Sequence, residues 1–399
     1  MSANPIRVKD LLSVLSIEEL NETAETYFAR LKDPTHLLAK PYAAVEECAV
    51  LLTHLGALLK GSHPLPGMAV LDFGCGSGWL TRILTQLRLE VFAIDPSRSA
   101  LNLAQRLMVE QPPFGRYHQP KFLVFDGRTI PLPSGSVHRV FCNDAFHHVP
   151  NPEEALQEIA RVLRPGGIAA FAEGGPRHSL TAQAQQEMRL YRVIENDIII
   201  RDVWGYAQKA GFAKIFIAVL SADCPLLSLC QYEKWLAGDP VAEENVNSRL
   251  RSYLENVTIF FLEKSGTEVL DSRTRSGLRA DLSVELSSVA PAVHGTARIQ
   301  NCGSAVWLPH GSAGEGGVAL GVHLLDRSRR CIELDFARII LKSGKDEPVL
   351  PGEEVSVAFI LPALPKGQYS LEFDMVSEGV TWFAFAGSPT VVTDIAIGG

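Results

Sequence analysis

The stretch Val70-Leu71-Asp72-Phe73-Gly74-Cys75-Gly76-Ser77-Gly78 decides the fold: a short apolar strand runs straight into a glycine-rich turn. A second apolar run, Val91-Phe92-Ala93-Ile94, closes on Asp95, seventeen residues past Gly78. Glycine lets the chain turn sharply and brings backbone close to a ligand with no Cβ in the way. An acid ending the neighbouring strand sits where it accepts hydrogen bonds from both hydroxyls of a ribose. Together they describe a nucleotide-like ligand at the carboxyl ends of two adjacent parallel strands. On these two motifs alone, a nicotinamide dinucleotide remains a rival ligand.

Outward from this unit, strand and helix alternate. Strands are predicted at 68–73, 90–94, 121–125, 138–142 and 167–173, with further strands at 215–220 and 257–262. Such alternation argues for a parallel sheet with helices on both faces. Residues 1–62 read as helices, with Leu11, Leu12, Leu15, Ile17 and Leu20 clustered in one of them. Asn151-Pro152-Glu153-Glu154 starts another, with Asn151 as cap and Pro165-Gly166-Gly167 as its end. Residues 222–256 read as a mostly helical insertion.

Past Lys264 the pattern changes. Residues 265–279 are polar and aperiodic, a linker by composition, and 16 of the 32 glycines fall in the last 135 residues. Short alternating runs such as Tyr369, Leu371, Phe373 and Met375 predict an antiparallel β-sandwich. The expected domains are a helical lid (1–62), an α/β domain (63–264), the linker and a sandwich (280–399).

Four ligand-facing elements follow one another: the loop 74–78, Asp95, Asp126-Gly127, and Asn143-Asp144. After them come Ala145-Phe146-His147-His148-Val149-Pro150 and Leu163-Arg164-Pro165-Gly166-Gly167. Over residues 40–220 the chain resembles the class I S-adenosylmethionine-dependent methyltransferases, in particular the small-molecule group with an HHV step and an LRPGG turn. The Asp-Gly step and the histidine pair favour the methyl donor over a dinucleotide. The resemblance implies a Rossmann-like α/β fold with S-adenosyl-L-methionine as cofactor. It places Gly74, Gly76 and Gly78 beside the methionine and ribose, and Asp72 near the amino group. It gives the ribose hydroxyls to Asp95, the adenine amine to Asp126, the ring face to Gly127, and backbone contacts near the methionine tail to Asn143. Cys75, a small loop residue and no nucleophile, and Pro96 complete this set.

A hydroxyl acceptor needs a base, and histidine suits neutral pH. His147 and His148 are the candidates, set against a structural role in which the pair bonds backbone in its turn. Asp144, Glu173 and His178 are rivals. Substrate contacts are expected from Tyr42, beside Lys40 and Pro41, and from Glu173, Tyr191 and Glu195, with Glu187 and Asp197 nearby. As alternatives, Tyr191 fits a helix face and the acids fit a solvated surface. Spacing offers no convincing ligand set for a metal, and none is expected.

In the C-terminal part, Phe373–Phe383 resembles an immunoglobulin-like module found beside bacterial methyltransferases and glycosyltransferases of polysaccharide assembly, over residues 281–390. That association implies a glycan or glycolipid acceptor. Trp382 and Phe383 can stack on sugars, although such aromatics ordinarily fill a sandwich core. The expected activity is O-methylation of a sugar hydroxyl. A natural-product or lipid-like acceptor is the alternative within the class, and a non-catalytic, cofactor-binding scaffold the alternative outside it.

Composition sets the bounds. A chain of 399 residues with 46% hydrophobic and 21% charged content is globular and long enough for two domains. The net charge of −8 divides into −3 up to residue 264 and −5 beyond, so neither part is a nucleic-acid binder. Seven scattered cysteines without a CxxC pair read as reduced thiols of a cytoplasmic protein. The expected partner is a small molecule or glycan, with no membrane insertion; homo-oligomer formation stays open.

Overall fold

The computed structural model describes residues 5–289, 292–310, 315–341 and 347–398, so the first four residues of the expected lid lie outside it. The chain forms two compact units, Met1–Glu268 and Val269–Gly399.

The first unit is built on seven strands: β1 (Ala69–Phe73), β2 (Glu90–Asp95), β3 (Lys121–Val124), β4 (Val137–Asn143), β5 (Leu163–Gly174), β6 (Phe212–Ile217) and β7 (Val257–Lys264). Their order is β3-β2-β1-β4-β5-β7-β6. β3, β2, β1, β4 and β5 pair in parallel, while β7 runs antiparallel to both β5 and β6. All five residues of β1 are buried, as a central strand covered on both faces requires. The strand order turns at β1, and a ligand crevice belongs outside the carboxyl ends of the strands there.

Four local readings change. The expected first helix is two, Val8–Leu12 and Ile17–Ala29, because Ser16 caps the second and Glu19 returns the bond to Ser16 N–H in a capping box. Asn151 does not cap with its side chain; its Nδ2 donates to Gly127 O and Glu154 Oε2 instead. The helix it precedes ends at Val162, and Pro165-Gly166-Gly167 lies inside β5, since residues before a proline favour extended backbone. β6 begins at Phe212, directly after Gly211 ends the helix Ile200–Ala210 with φ 94°. Two helices, Leu229–Leu236 and Pro240–Leu254, occupy the insertion between β6 and β7.

Residues 265–279 are packed rather than a free tether. Arg139, 1% exposed on β4, holds Glu268 bidentately at 2.7 and 2.6 Å. Asp271 bridges to Val306, and Leu278 is buried in the core of the second unit.

The second unit is all-β. β8 (Ala280–Val289), β9 (Ala292–Asn301) and β12 (Glu354–Leu361) form one antiparallel sheet. β10 (Val318–Asp326), β11 (Cys331–Ile340), β13 (Gly367–Ser377), β14 (Thr381–Trp382) and β15 (Val391–Ile397) form the other. Residues of both sheets share one core, including Ile299, Val322 and Phe373, which makes the unit a sandwich. Phe383 is fully buried edge-on to Trp307. Trp382 lies between Arg338 and His323, each 4.3 Å from its ring centroid. Phe383 serves the core of the sandwich, whereas Trp382 is half-buried and stays outside that core.

Candidate functional site

A cavity of about 390 Å³ opens at the carboxyl ends of β1, β2 and β4. The glycine loop forms one wall. Gly74, Gly76 and Gly78 take φ of 70°, 50° and 82°, a region that side chains with a Cβ avoid. A Cβ on Gly74 would stand 2.5 Å from Ala145 Cβ, and one on Gly78 would stand 2.6 Å from Ala104 Cβ. Gly74, Cys75, Gly76, Pro96, Gly127 and Asn143 all line the cavity, while Gly78 caps the following helix Trp79–Gln86.

Asp95 also lines it. Its two oxygens accept from Gly76 N–H and Ser97 N–H, both at 2.9 Å, which leaves a lone pair on each for a ligand hydroxyl. Burial pushes this carboxyl up to about 6, against the two N–H bonds. Asn143 Oδ1 is a buried acceptor with no donor among the described residues. Such an atom is costly unless something fills the cavity beside it.

Two expected donor contacts are elsewhere. Asp72 turns away to accept from Thr81 Oγ1 at 2.5 Å, and burial pushes it up to about 7. Asp126 spends Oδ1 on the N–H groups of Arg128 and Thr129, an Asx turn, and stands outside the cavity wall.

The helix Ile17–Ala29 forms the opposite wall with Leu20, Asn21, Tyr27 and Phe28. It is tied down by Glu25, which accepts from Ser97 Oγ, Ser99 N–H and Ser99 Oγ. None of these residues was among the candidates read from the sequence; the Ser16-Ile17-Glu18-Glu19 capping signature is the signal that places their helix. Of the segment Lys40-Pro41-Tyr42, Lys40 lines the cavity and Tyr42 does not, being 67% exposed. Tyr191 is absent from the wall and packs edge-on against Tyr27.

Beyond the donor cradle the cavity ends in histidines and acids. Glu173, expected to touch substrate, is buried behind the wall. Its carboxylate accepts from the N–H groups of Ala145, Phe146 and His147 and from His147 Nδ1, the last at 2.7 Å. Burial works against charge on His147, yet the hydrogen bond and charge of Glu173, with Asp144 and Glu195, raise it to about 9. His148 gives its Nδ1 proton to Ile194 O at 2.8 Å, so its Nε2 carries the free lone pair. Burial, then His147, lowers the pKa of His148. Asp144, at φ 55°, carries a side chain 68% exposed at the cavity edge. Glu195, 2% exposed, accepts from His178 Nε2 at 2.7 Å; burial would raise its pKa, but His178 and the histidine pair hold it down. The chain thus gathers His147, His178 and Glu195, which no spacing in the sequence reveals.

Residues 71–171 match the family described as methyltransferase domain. Over 118 residues the chain is 35% identical to an uncharacterised chloroplast methyltransferase of Arabidopsis thaliana, covering 28% of this chain and 33% of that protein. It is 34% identical over 109 residues to a ubiquinone biosynthesis O-methyltransferase of Cupriavidus pinatubonensis, covering 27% and 42%. The chain therefore spans less than half the length of these relatives. A solved phosphoethanolamine N-methyltransferase of Haemonchus contortus, bound to phosphomonomethylethanolamine and S-adenosylhomocysteine, aligns with TM-score 0.42 and 18% identity over 64% of this chain and 61% of that one.

The first unit carries the Rossmann-like fold of an S-adenosylmethionine-dependent methyltransferase domain. Its cradle suits that cofactor: a glycine loop whose backbone lines the cavity, an acid with lone pairs for a diol, and a buried acceptor with no donor among the described residues.

Proposed function

We propose that the chain transfers a methyl group from S-adenosylmethionine to a hydroxyl of a sugar or glycan intermediate. One observation carries this: a single cavity joins the donor cradle at Asp95 and Asn143 to His148, whose Nε2 lone pair is left open by the bond from Nδ1 to Ile194 O. The bound donor supplies an electrophilic methyl on a sulfonium, and the chain's own task is alignment and proton removal. Asp95 would hold the ribose and Asn143 Oδ1 the ammonium of the methionine part. His148 would take the acceptor's proton, while His147, bound through Nδ1 to Glu173, stiffens the turn that carries it.

The acceptor end bears Asp144, Glu187 and Glu195, with Lys40 the one lysine or arginine in the wall among the described residues. That balance disfavours phosphate or carboxylate beside the reacting atom and suits a neutral polyol. The O-methyltransferase among the relatives supports oxygen as the atom methylated, and the resemblance read from the sequence of residues 281–390 to modules of polysaccharide assembly favours a glycan.

Labelled donor incubated with bacterial glycan precursors, nucleotide sugars and lipid-like phenols tests the reading. Label on a sugar oxygen is the expected result. Label on the phenols overturns the glycan assignment, and donor binding without transfer to any member of a broad panel points to a scaffold.

A further inference from the structure

We infer that His147, His178 and Glu195 form a site for one first-row divalent transition cation, facing the same cavity. One donor atom from each residue lies within 4.8 Å of the other two. His178 Nε2 stands 2.7 Å from Glu195 Oε2, and His147 Nε2 stands 3.6 Å from the same oxygen. Tetrahedral ligands at about 2.0–2.2 Å from a metal sit about 3.3–3.5 Å apart, so the present spacing needs only small side-chain rotations. A cation would displace two protons, the one that now bridges His178 Nε2 and Glu195 and the one on His147 Nε2.

Three independent features favour a ligand set over an ordinary polar cluster. First, His147 donates Nδ1–H to Glu173 at 2.7 Å, the carboxylate–histidine arrangement that fixes the tautomer of a metal-binding imidazole and presents Nε2. Second, Glu195 is 2% exposed, yet its Oε1 makes no hydrogen bond among the described residues. Its contact is the ring nitrogen Nδ1 of His148 at 3.5 Å, without a hydrogen bond, an unusual arrangement for a buried acid in a purely structural role. Third, all three residues line the cavity, so the remaining coordination positions open onto it, as in sites that bind a substrate atom. Glu173 and Asp144 add negative charge around the cluster, with Asp144 Oδ1 3.9 Å from His147 Nδ1.

Two imidazoles and one carboxylate select zinc, cobalt, iron or manganese over magnesium and calcium, which favour all-oxygen sets. The site stands on this donor set and does not depend on which acceptor is methylated.

Cobalt(II) titrated into the full-length chain, followed by its visible ligand-field band, is the direct test, with donor binding measured in parallel by calorimetry. The expected result is one equivalent bound, with affinity reduced about 10–100-fold or more in His178→Ala and Glu195→Gln. Glu173→Gln should weaken it on the order of 10–100-fold. His178 is partly exposed, so His178→Ala decides the question even if the Glu173 variant fails to fold. Retained donor binding shows the fold is intact and separates this inference from the donor assignment. No cobalt band, or equal affinity in wild type, His178→Ala and Glu195→Gln, overturns it; the ion would then be on exposed thiols such as Cys224 or Cys302.

Discussion

At the scale of single residues, the site divides into groups visible in the sequence and groups created by folding. The place of Asp95 in the cavity wall was legible because strand, acid and glycine loop lie within thirty residues. Asp126 sits in an equally suggestive Asp-Gly step, but its Oδ1 accepts from Arg128 N–H and Thr129 N–H, a local turn that sequence cannot weigh against a ligand contact. Within the histidine pair, sequence gives the two members equal standing, and only the partners Glu173 and Ile194 O distinguish them. Replacing His148 by Ala should lower turnover by about 10²–10⁴-fold while donor affinity stays nearly unchanged; unchanged turnover would return the pair to a structural role. Asp95 and Asp72 are raised to about 6 and about 7 from an ordinary 3.8, so the folded, ligand-free protein binds these protons more tightly than the unfolded chain does. Their contribution to its stability is therefore present at low pH and lost as pH rises through the folded values. Donor binding has the opposite sense, since a charged Asp95 accepts more hydrogen bonds. The melting-temperature shift caused by donor should grow between pH 5 and pH 8, and a shift independent of pH would contradict this role for Asp95.

Elements place these residues, and here the sequence read types better than ends. Five parallel strands follow from apolar runs spaced by helices, but the Ser16 capping box, the early stop at Val162 and the cavity-lining helix Ile17–Ala29 depend on local hydrogen bonds that hydrophobic patterning ignores. His178 and Glu195 flank the helix Ala182–Tyr191 and meet at 2.7 Å, a pairing across a helix and its two ends that no periodicity in the sequence marks. Glu173 is the pin between β5 and the turn after β4, accepting three backbone N–H groups and one imidazole. Removing it strands those donors, and Glu173→Ala should cost about 3–5 kcal/mol in denaturant unfolding. A loss below about 1 kcal/mol would mean the turn is held by other contacts. Gly78→Ala combines a left-handed φ with a clash against Ala104 and should cost roughly 1–3 kcal/mol.

For the whole molecule, composition announced two domains but misjudged where one stops. The polar run after Lys264 looked like a tether, yet Glu268 neutralises Arg139, buried in the central sheet. Such a long-range pair leaves no mark in local sequence. A chain ending at Glu268 should therefore fold and keep full donor affinity, whereas one ending at Lys264 should lose about 3–5 kcal/mol because a buried guanidinium is left unpaired. Equal melting temperatures for the two would contradict that account. The second unit, starting at Val269, should fold alone, and loss of acceptor turnover without it would assign it to substrate capture. The central claim is that the cavity holds S-adenosylmethionine, and calorimetry on wild type and Asp95→Ala tests it most directly. S-adenosylmethionine and its demethylated product should both bind, and the variant should bind each about 10–100-fold more weakly, the loss of about 1–3 kcal/mol of charge-assisted hydrogen bonding. Tight binding of a nicotinamide dinucleotide with no response to either methyl-donor ligand would contradict it.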